Sequence, residues 1–197
     1  MEGIQVIDET IEMNDSGAAK VFAVEFKPQV MEIDYSHTRY NIAIPRTLFL
    51  ATYYNRVPLL VPARWLASDP FILCQSPHRA EIEPLPLPNV FSHDNGRICM
   101  GEDWLLGRKY KLAEELKEDA VRTALEFFGS RFTKGVHFDG PMPAEFSKCK
   151  YWTQILRRWE QLTKTLGVEG VAGLDWTRSD GHMRLDDFVS EVAWRTL

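Results

Sequence analysis

The feature of this sequence that most constrains its fold is a change of hydrophobic period just after the midpoint. In the first half, apolar and β-branched residues form short runs, and prolines are too frequent for helices, as in Val57-Pro58-Leu59-Leu60-Val61-Pro62. From Lys111 to Phe128, apolar residues recur at helical spacing with charges between them, and Gly129 follows. We therefore expect an α/β (α+β) domain in which strands come before helices.

The N-terminal part is expected to begin with a hairpin. Ile4 to Met13 and Ala19 to Phe26 are rich in alternating or β-branched apolar residues, and turn formers separate them. Later, Glu83-Pro84-Leu85-Pro86-Leu87-Pro88 carries proline at every second position, which favours an extended segment without ladder donors. This segment is predicted to lie against the domain surface.

Three helices are predicted in the second half. Besides the first, residues 151–166 have an apolar face and precede Gly167, a natural stop, and residues 185–197 begin with early carboxylates that suit a helix N-terminus. The predicted apolar faces of the first two helices are Leu112, Leu116, Ala120, Leu125 and Phe128, and Trp152, Ile155, Leu156, Trp159 and Leu162.

Composition excludes some classes of partner. The formal net charge is −5, so the chain offers no basic field for a phosphate backbone, and nucleic acid is not an expected partner. The first residues lack the basic and apolar regions of a signal peptide, and no apolar run approaches the roughly 20 residues that span a bilayer. We expect a cytoplasmic protein with no membrane partner.

Three cysteines without paired spacing argue against a disulfide framework. Cys74 and His78 could share a metal, but a structural zinc site needs four ligands and only the remote Cys149 could join them. Cys74 follows Phe71-Ile72-Leu73 and is more simply a core residue. Neither a metal nor another cofactor is expected.

The third cysteine, Cys99, follows an extended Pro88-Asn89 element and a polar turn that ends at Gly96. Thioester chemistry needs an accessible sulfur nucleophile and a donor aimed at the carbonyl oxygen, which becomes negatively charged in the tetrahedral intermediate. Cys99 and the side-chain amide of Asn89 can supply these two parts. Gly96 and Gly101 flank the cysteine and permit backbone angles that bring it to the surface.

Two polar residues of the same loop are further candidates. His93 and Asp94 could tune the thiol or deprotonate an incoming amine, and the alternative is that they are simply solvated on a polar turn. Free cysteine is itself among the most buried residue types, so an inert structural Cys99 is an alternative on composition alone.

The order of these elements resembles a known signature. Pro88-Asn89-Val90 followed by Gly96-x-Ile98-Cys99 is similar to the active-site signature of ubiquitin-conjugating enzymes, in which His-Pro-Asn precedes Gly-x-Ile/Val-Cys-Leu. Within that superfamily the resemblance is to the prokaryotic branch that includes PRTRC system protein B. Phe127-Phe128-Gly129-Ser130-Arg131-Phe132-Thr133 is similar to a Phe-x-x-Ser-x-Phe-Thr block of that branch, and the resemblance covers roughly residues 40–133.

The resemblance implies a ubiquitin-conjugating-enzyme-like fold, with a curved antiparallel sheet followed by the active-site loop and a crossover helix. Residues 1–140 would form the catalytic domain and residues 141–197 a helical C-terminal extension packed on it. Cys99 would accept a ubiquitin-like protein as a thioester and transfer it to a target nucleophile, with Asn89 as the second catalytic residue. Pro88, Gly96 and Gly101 would support the loop.

The implied partners are a ubiquitin-like protein, an activating enzyme that uses ATP, a protein target and a metal-dependent isopeptidase encoded nearby. Such gene islands are associated with plasmids and with defence against phage. His137 and Asp139 follow the crossover helix, where the family sometimes places an acidic group near the acceptor amine, although an exposed loop is the alternative.

The chain departs from the family at three points. Leu87 replaces the histidine of the triplet, the loop from Asn89 to Cys99 is slightly longer, and residues 1–26 are predicted strands where the family has a helix. Two other functions therefore stay open. One is a non-catalytic module of the same fold that binds a ubiquitin-like protein, and the other is a cysteine hydrolase with His93 as its base.

Overall fold

The computed structural model describes residues 4–14, 17–56, 65–75, 81–91, 95–98, 100, 109–110, 112, 114–132, 142–176 and 183–196. These residues form twelve strands and three α-helices in a mixed α+β arrangement. The strands are β1 (Ile4–Asn14), β2 (Gly17–Phe26), β3 (Gln29–Tyr35), β4 (Thr38–Ile44), β5 (Arg46–Arg56), β6 (Trp65–Ala67), β7 (Phe71–Gln75), β8 (Ile82–Pro84), β9 (Val90–Phe91), β10 (Arg97–Ile98), β11 (Lys109–Tyr110) and β12 (Arg131–Phe132). The helices are α1 (Glu114–Gly129), α2 (Trp152–Ala172) and α3 (Leu185–Thr196), and a 3₁₀ turn covers Ala144–Phe146.

The main sheet has the order β1-β2-β5-β7-β10-β9, and its neighbouring strands are antiparallel. The predicted N-terminal hairpin is confirmed, since β1 pairs with β2 from Ile4 opposite Phe26 to Asn14 opposite Gly17. β6 and β8 flank β5 and β7, and β11 pairs with β6. Between β2 and β5 the chain leaves this sheet as the β3–β4 hairpin, which β12 joins in parallel.

The main sheet is covered on both faces. From Val21 to Phe26 every residue of β2 is buried, which is the pattern of a strand packed on two sides. Phe22, Val24 and Phe26 share a cluster with α1 and α2, whereas Val21 and Ala23 share a second cluster with α3. The layers are therefore α3, the main sheet, and then α1 with the small sheet and α2.

A buried carboxylate fixes α1 to the sheet. Asp119, which is 1% exposed, accepts hydrogen bonds from Tyr53 Oη at 2.8 Å and from the Arg122 guanidinium. Since a buried charge is costly unless it is paired and hydrogen-bonded, these partners make the carboxylate compatible with the interior. The contact sets how α1 lies across β5.

Side chains of α2 cover the open edge of β4. Trp159 Nε1 donates to the carbonyl of Ala43 at 2.7 Å, and the Ala43 amide donates to Thr163 Oγ1 at 2.8 Å. The Asn41 amide donates to Glu160 Oε1 at 3.1 Å. The unpaired main-chain groups of an edge strand can pair with another chain, and here side chains of α2 form hydrogen bonds with those groups.

The helix predictions for α1 and α3 are confirmed, with differences of detail. Leu116, Ala120 and Phe128 are buried on α1, but Leu112 lies before the helix and is 58% exposed, so its place on the apolar face was wrong. Leu125 is partly buried. The start of the helix moves to Glu114 because the pattern alone does not fix a boundary.

The prediction that Gly167 ends α2 is only half right. Gly167 has a left-handed φ of 71° and interrupts the helical backbone, but helical residues resume and continue to Ala172. The continuation is favoured because Val171 and Ala172 are buried and Val171 accepts a hydrogen bond from Trp176 Nε1 at 2.8 Å. Within the described residues, none of the helices is long and apolar enough to cross a membrane.

A polar row crosses one end of the main sheet. Glu25, on β2, accepts hydrogen bonds from Arg46 Nε at 2.5 Å and Gln5 Nε2 at 2.9 Å, and Arg46 also bonds the side chain of Gln75. Burial alone would raise the pKa of Glu25, but these hydrogen bonds outweigh burial and hold the pKa below its usual value. The folded state therefore prefers ionised Glu25 more than the unfolded state does.

Replacing Glu25 by Gln is expected to lower the free energy of unfolding at pH 7 by about 1–3 kcal/mol. A lowered folded-state pKa contributes stability above the unfolded value, near 4.5, and that stability disappears as pH falls through the folded value. The wild type should therefore lose more stability than Glu25→Gln between pH 7 and pH 3. Urea unfolding at both pH values measures this. Equal losses in the two proteins would contradict it.

Candidate active site

A tight turn leads the chain into the candidate site. The Val90 amide donates to the carbonyl of Leu87 at 3.2 Å, which closes a turn with Pro88 and Asn89 at its centre. Asn89 has a φ of 67°, and proline precedes it, so the turn belongs to type II, which requires a positive φ at its third residue. Pro88 is buried and Asn89 is half-buried.

This turn gives Asn89 a role that the sequence did not reveal. A positive φ is uncommon for residues other than glycine, and asparagine is among those that tolerate it best. The backbone at this position therefore favours asparagine independently of any chemistry that its amide performs.

The segment before the turn was predicted to lie against the domain surface, and that prediction was wrong. Leu85 and Leu87 are fully buried in the cluster that contains the α1 residues, and the two prolines that follow them are buried as well. Leucine alternates with proline here, so the segment stays extended while each leucine is buried in the core. Leu87, at the place of the family's histidine, is a core residue.

After the turn, β9 and β10 form a short antiparallel pair against the edge of β7. Val90 lies opposite Ile98, and Arg97 lies between Phe91 on one side and Phe71 on the other. The Ile98 amide donates to the carbonyl of Pro70 at 2.8 Å. Main-chain hydrogen bonds therefore fix the residue immediately before Cys99 in the sequence.

Gly96 makes this close packing possible. It has a φ of 85°, and a Cβ atom built on it would lie 2.7 Å from the carbonyl oxygen of Ile72 and 3.1 Å from Leu73 Cδ2. Its amide donates to the carbonyl of Phe91, and its carbonyl accepts from the Ile72 amide, both at 2.9 Å. Gly96 is buried against β7, and the absence of a side chain lets the β9–β10 hairpin approach that strand.

Arg97 lies on the more exposed side of β10. Its guanidinium pairs with Asp69 at 3.0 Å and lies 5.3 Å from the ring centre of Phe91, while Ile98, the next residue, is 1% exposed. The sequence analysis did not identify Asp69, because 28 residues separate it from Arg97 and no local pattern links them. The pair ties the loop to the connector between β6 and β7.

Several predicted residues lie outside the part of the chain that the structure describes: Cys99, Gly101, His93, Asp94, His78, His137 and Asp139. Of the other two cysteines, Cys149 is a half-buried free thiol, and Cys74 is fully buried, as predicted. Burial raises the pKa of the Cys74 thiol, which keeps it protonated and makes it a poor nucleophile.

Comparison of the chain with protein-family models, with curated proteins and with solved structures finds no match. Within the described ranges, no group of three or more histidine, cysteine, aspartate or glutamate side chains is placed to hold a metal ion.

Gly96→Ala is expected to destabilise the protein by about 2–4 kcal/mol, because it combines backbone strain with a steric clash. Gly129→Ala is the matched control, since a Cβ atom there meets nothing within 4 Å. That variant should be neutral or slightly more stable. Denaturant unfolding measures both, and equal stability of the two variants would show that the approach of Gly96 to β7 is not required.

Proposed function

We propose that this chain is a carrier of the ubiquitin-conjugating-enzyme type that acts in the cytoplasm. Cys99 accepts a ubiquitin-like protein from an ATP-consuming activating enzyme and transfers it to a nucleophile on a protein target. A metal-dependent isopeptidase encoded nearby would act on the product. The carrier step itself involves bond exchange at sulfur and requires neither a metal nor a nucleotide.

The observation that carries this proposal is the register of β9 and β10. Val90 lies opposite Ile98, and in the sequence Asn89 immediately precedes β9 while Cys99 immediately follows β10. Paired residues in such a ladder have Cα atoms about 4.5–5.5 Å apart, and successive Cα atoms are about 3.8 Å apart. On this basis we propose that the Asn89 amide and the Cys99 thiol act on one carbonyl group.

The order of elements supports the same proposal. Four antiparallel strands, β1-β2-β5-β7, are followed by the loop and then by α1, which is the order that the resemblance implies. The β3–β4 hairpin and its small sheet are additions to that order. We propose a ubiquitin-conjugating-enzyme-like fold on this basis, with the C-terminal helices packed on it.

The proposed chemistry has two steps. The Cys99 thiolate attacks the thioester carbonyl on the activating enzyme, a new C–S bond forms, and the enzyme's own thiolate leaves. A target amine then attacks the thioester on Cys99, and the Asn89 amide donates a hydrogen bond to the oxyanion. Collapse breaks the C–S bond and releases the Cys99 thiolate, while the amine gives its proton to a base, for which His93 and Asp94 are the candidates in the loop.

Two observations favour the non-catalytic binding module instead. Leu87 occupies the histidine position and is fully buried, and the left-handed turn explains asparagine at position 89 without catalysis. In that case the loop would bind a ubiquitin-like protein as a surface, and Cys99 would form no bond to it.

Incubation with the activating enzyme, the ubiquitin-like protein and ATP should give an adduct that reductant removes. Cys99→Ser should give none, or an ester that survives reductant, because a hydroxyl is a weaker nucleophile and its ester is less labile. Cys99→Ala should give none, while the control Cys149→Ala should keep the wild-type adduct. Gels run with and without reductant measure this. If the wild type binds the ubiquitin-like protein but forms no adduct with a competent enzyme, the binding module is correct.

Substitutions of Asn89 separate its amide from its backbone. Asn89→Gly removes the amide but keeps the positive φ, whereas Asn89→Ala removes the amide and strains the turn by about 1–2 kcal/mol. If the amide stabilises the oxyanion, both variants should slow transfer by roughly 10²–10³-fold with unchanged binding of the ubiquitin-like protein.

The control for this comparison is Asn95→Gly, since Asn95 is a second asparagine of the same loop with a positive φ, of 51°. It should transfer at the wild-type rate in a single-turnover assay. Transfer by Asn89→Gly at the wild-type rate would limit Asn89 to its backbone role.

A further inference from the structure

The C-terminal helix packs mainly on β1, β2 and β5, and its residue Phe188 reaches β7, the strand that supports the candidate loop. α3 packs on the second face of the main sheet, where Phe188 and Val189 share a cluster with Leu50 and Leu73. The ring of Phe188 meets the ring of Phe71 edge to face, with centres 5.5 Å apart and planes at 84°. Phe188 is 1% exposed, so this contact is part of the interior.

Phe71 is also the residue through which β7 meets the loop. It lies opposite Arg97 in the β7–β10 pair, and the next amide, that of Ile72, donates to the carbonyl of Gly96. The aromatic contact below β7 and the main-chain contacts beside it therefore act on the same short stretch of backbone.

The chain just before α3 contacts the segment that leads into the loop. The Ile82 amide donates to the carbonyl of Met183 at 3.0 Å, and Glu81 and Arg184 form an isolated antiparallel bridge. Ile82 begins β8, and after Pro84 the chain continues through the buried leucines to the turn at Asn89. Residues 183–188 thus contact both stretches of chain that hold the loop.

We propose that Phe188 is a positioning residue for the candidate loop, and that residues 183–188 brace the Gly96–Ile98 stretch against β7. β9 and β10 have only two residues each, and β9 is the last strand of the main sheet, so few contacts of their own hold them. A segment with few contacts opens locally unless the layer beneath it is firm. The consequence for transfer rests on the proposed function, whereas the brace itself does not.

Amide hydrogen exchange of the protein alone tests the brace. Phe188→Met keeps most of the buried volume but loses the ring pair. The amides of Ile72 and Ile98 donate to the carbonyls of Gly96 and Pro70 and so join β10 to β7 and its connector. They should exchange about 2- to 10-fold faster, the factor that corresponds to the free energy of one aromatic pair. The amide of Val24 in the centre of the sheet should change less. Phe188→Ala should show a larger local effect if it remains folded.

Val192→Ala is the matched control, because Val192 is 3% exposed on the same helix and in the same cluster. It should accelerate exchange of the amides of Ile72, Ile98 and Val24 by equal factors, as expected of a loss of global stability alone. If Phe188→Met also changes all three equally, Phe188 is only a core residue and the inference is wrong.

Transfer assays then connect the brace to the proposed reaction. Phe188→Met should lower the rate constant of transfer and leave the KM for the ubiquitin-like protein unchanged, while Val192→Ala should leave both unchanged. If the wild type forms no adduct, the carrier proposal fails and the exchange result still decides the brace. An unchanged rate constant despite faster local exchange would overturn the role of Phe188 in positioning the reaction.

Discussion

Burial of the main sheet on both faces is the constraint on which the rest of this structure depends. Its central strands carry apolar side chains towards α1 and towards α3. Burial of each such aliphatic side chain contributes about 1.5–3 kcal/mol to the free energy of unfolding, and both helical layers are needed to bury both faces. Residues on both sides of position 140 therefore share the same two clusters. The C-terminal helices complete the interior that the N-terminal strands begin, so a change in either layer reaches the other through the sheet.

The candidate loop lies at the edge of the main sheet, where the strands are shortest. β2 and β5 have ten and eleven residues, but β9 and β10 have two each. Stability there comes from a glycine that permits close approach, from main-chain bonds to β7 and Pro70, and from the Arg97–Asp69 pair. Because these two strands are so short, their local opening is expected to cost less free energy than opening of the central strands.

Sequence patterns predicted what depends on local periodicity, and they did not predict what depends on distant contacts. The N-terminal hairpin, α1, α3 and the buried Cys74 follow from alternation, helical spacing and apolar neighbours, which report burial directly. Local preference predicted a helix end at Gly167 and a surface segment at the prolines before Asn89. Both predictions failed because the continuation of α2 and the burial of Leu87 depend on contacts with residues far along the chain. The site was predicted as a motif, but its type II turn and its contact with Asp69 needed the fold.

Leu87 occupies the position at which the signature that the loop resembles has histidine, and its burial has a physical explanation. A histidine would steady the loop through a side-chain hydrogen bond, but here the backbone of Gly96 and Ile98 already bonds the neighbouring strand and connector. An apolar side chain at position 87 suits the core, since a buried imidazole would need a hydrogen-bond partner of its own. The loop therefore keeps main-chain support without a histidine. At Asn89 the positive φ and the proposed amide chemistry favour the same residue. Substitution by glycine separates the two, because glycine keeps the backbone conformation and lacks the amide.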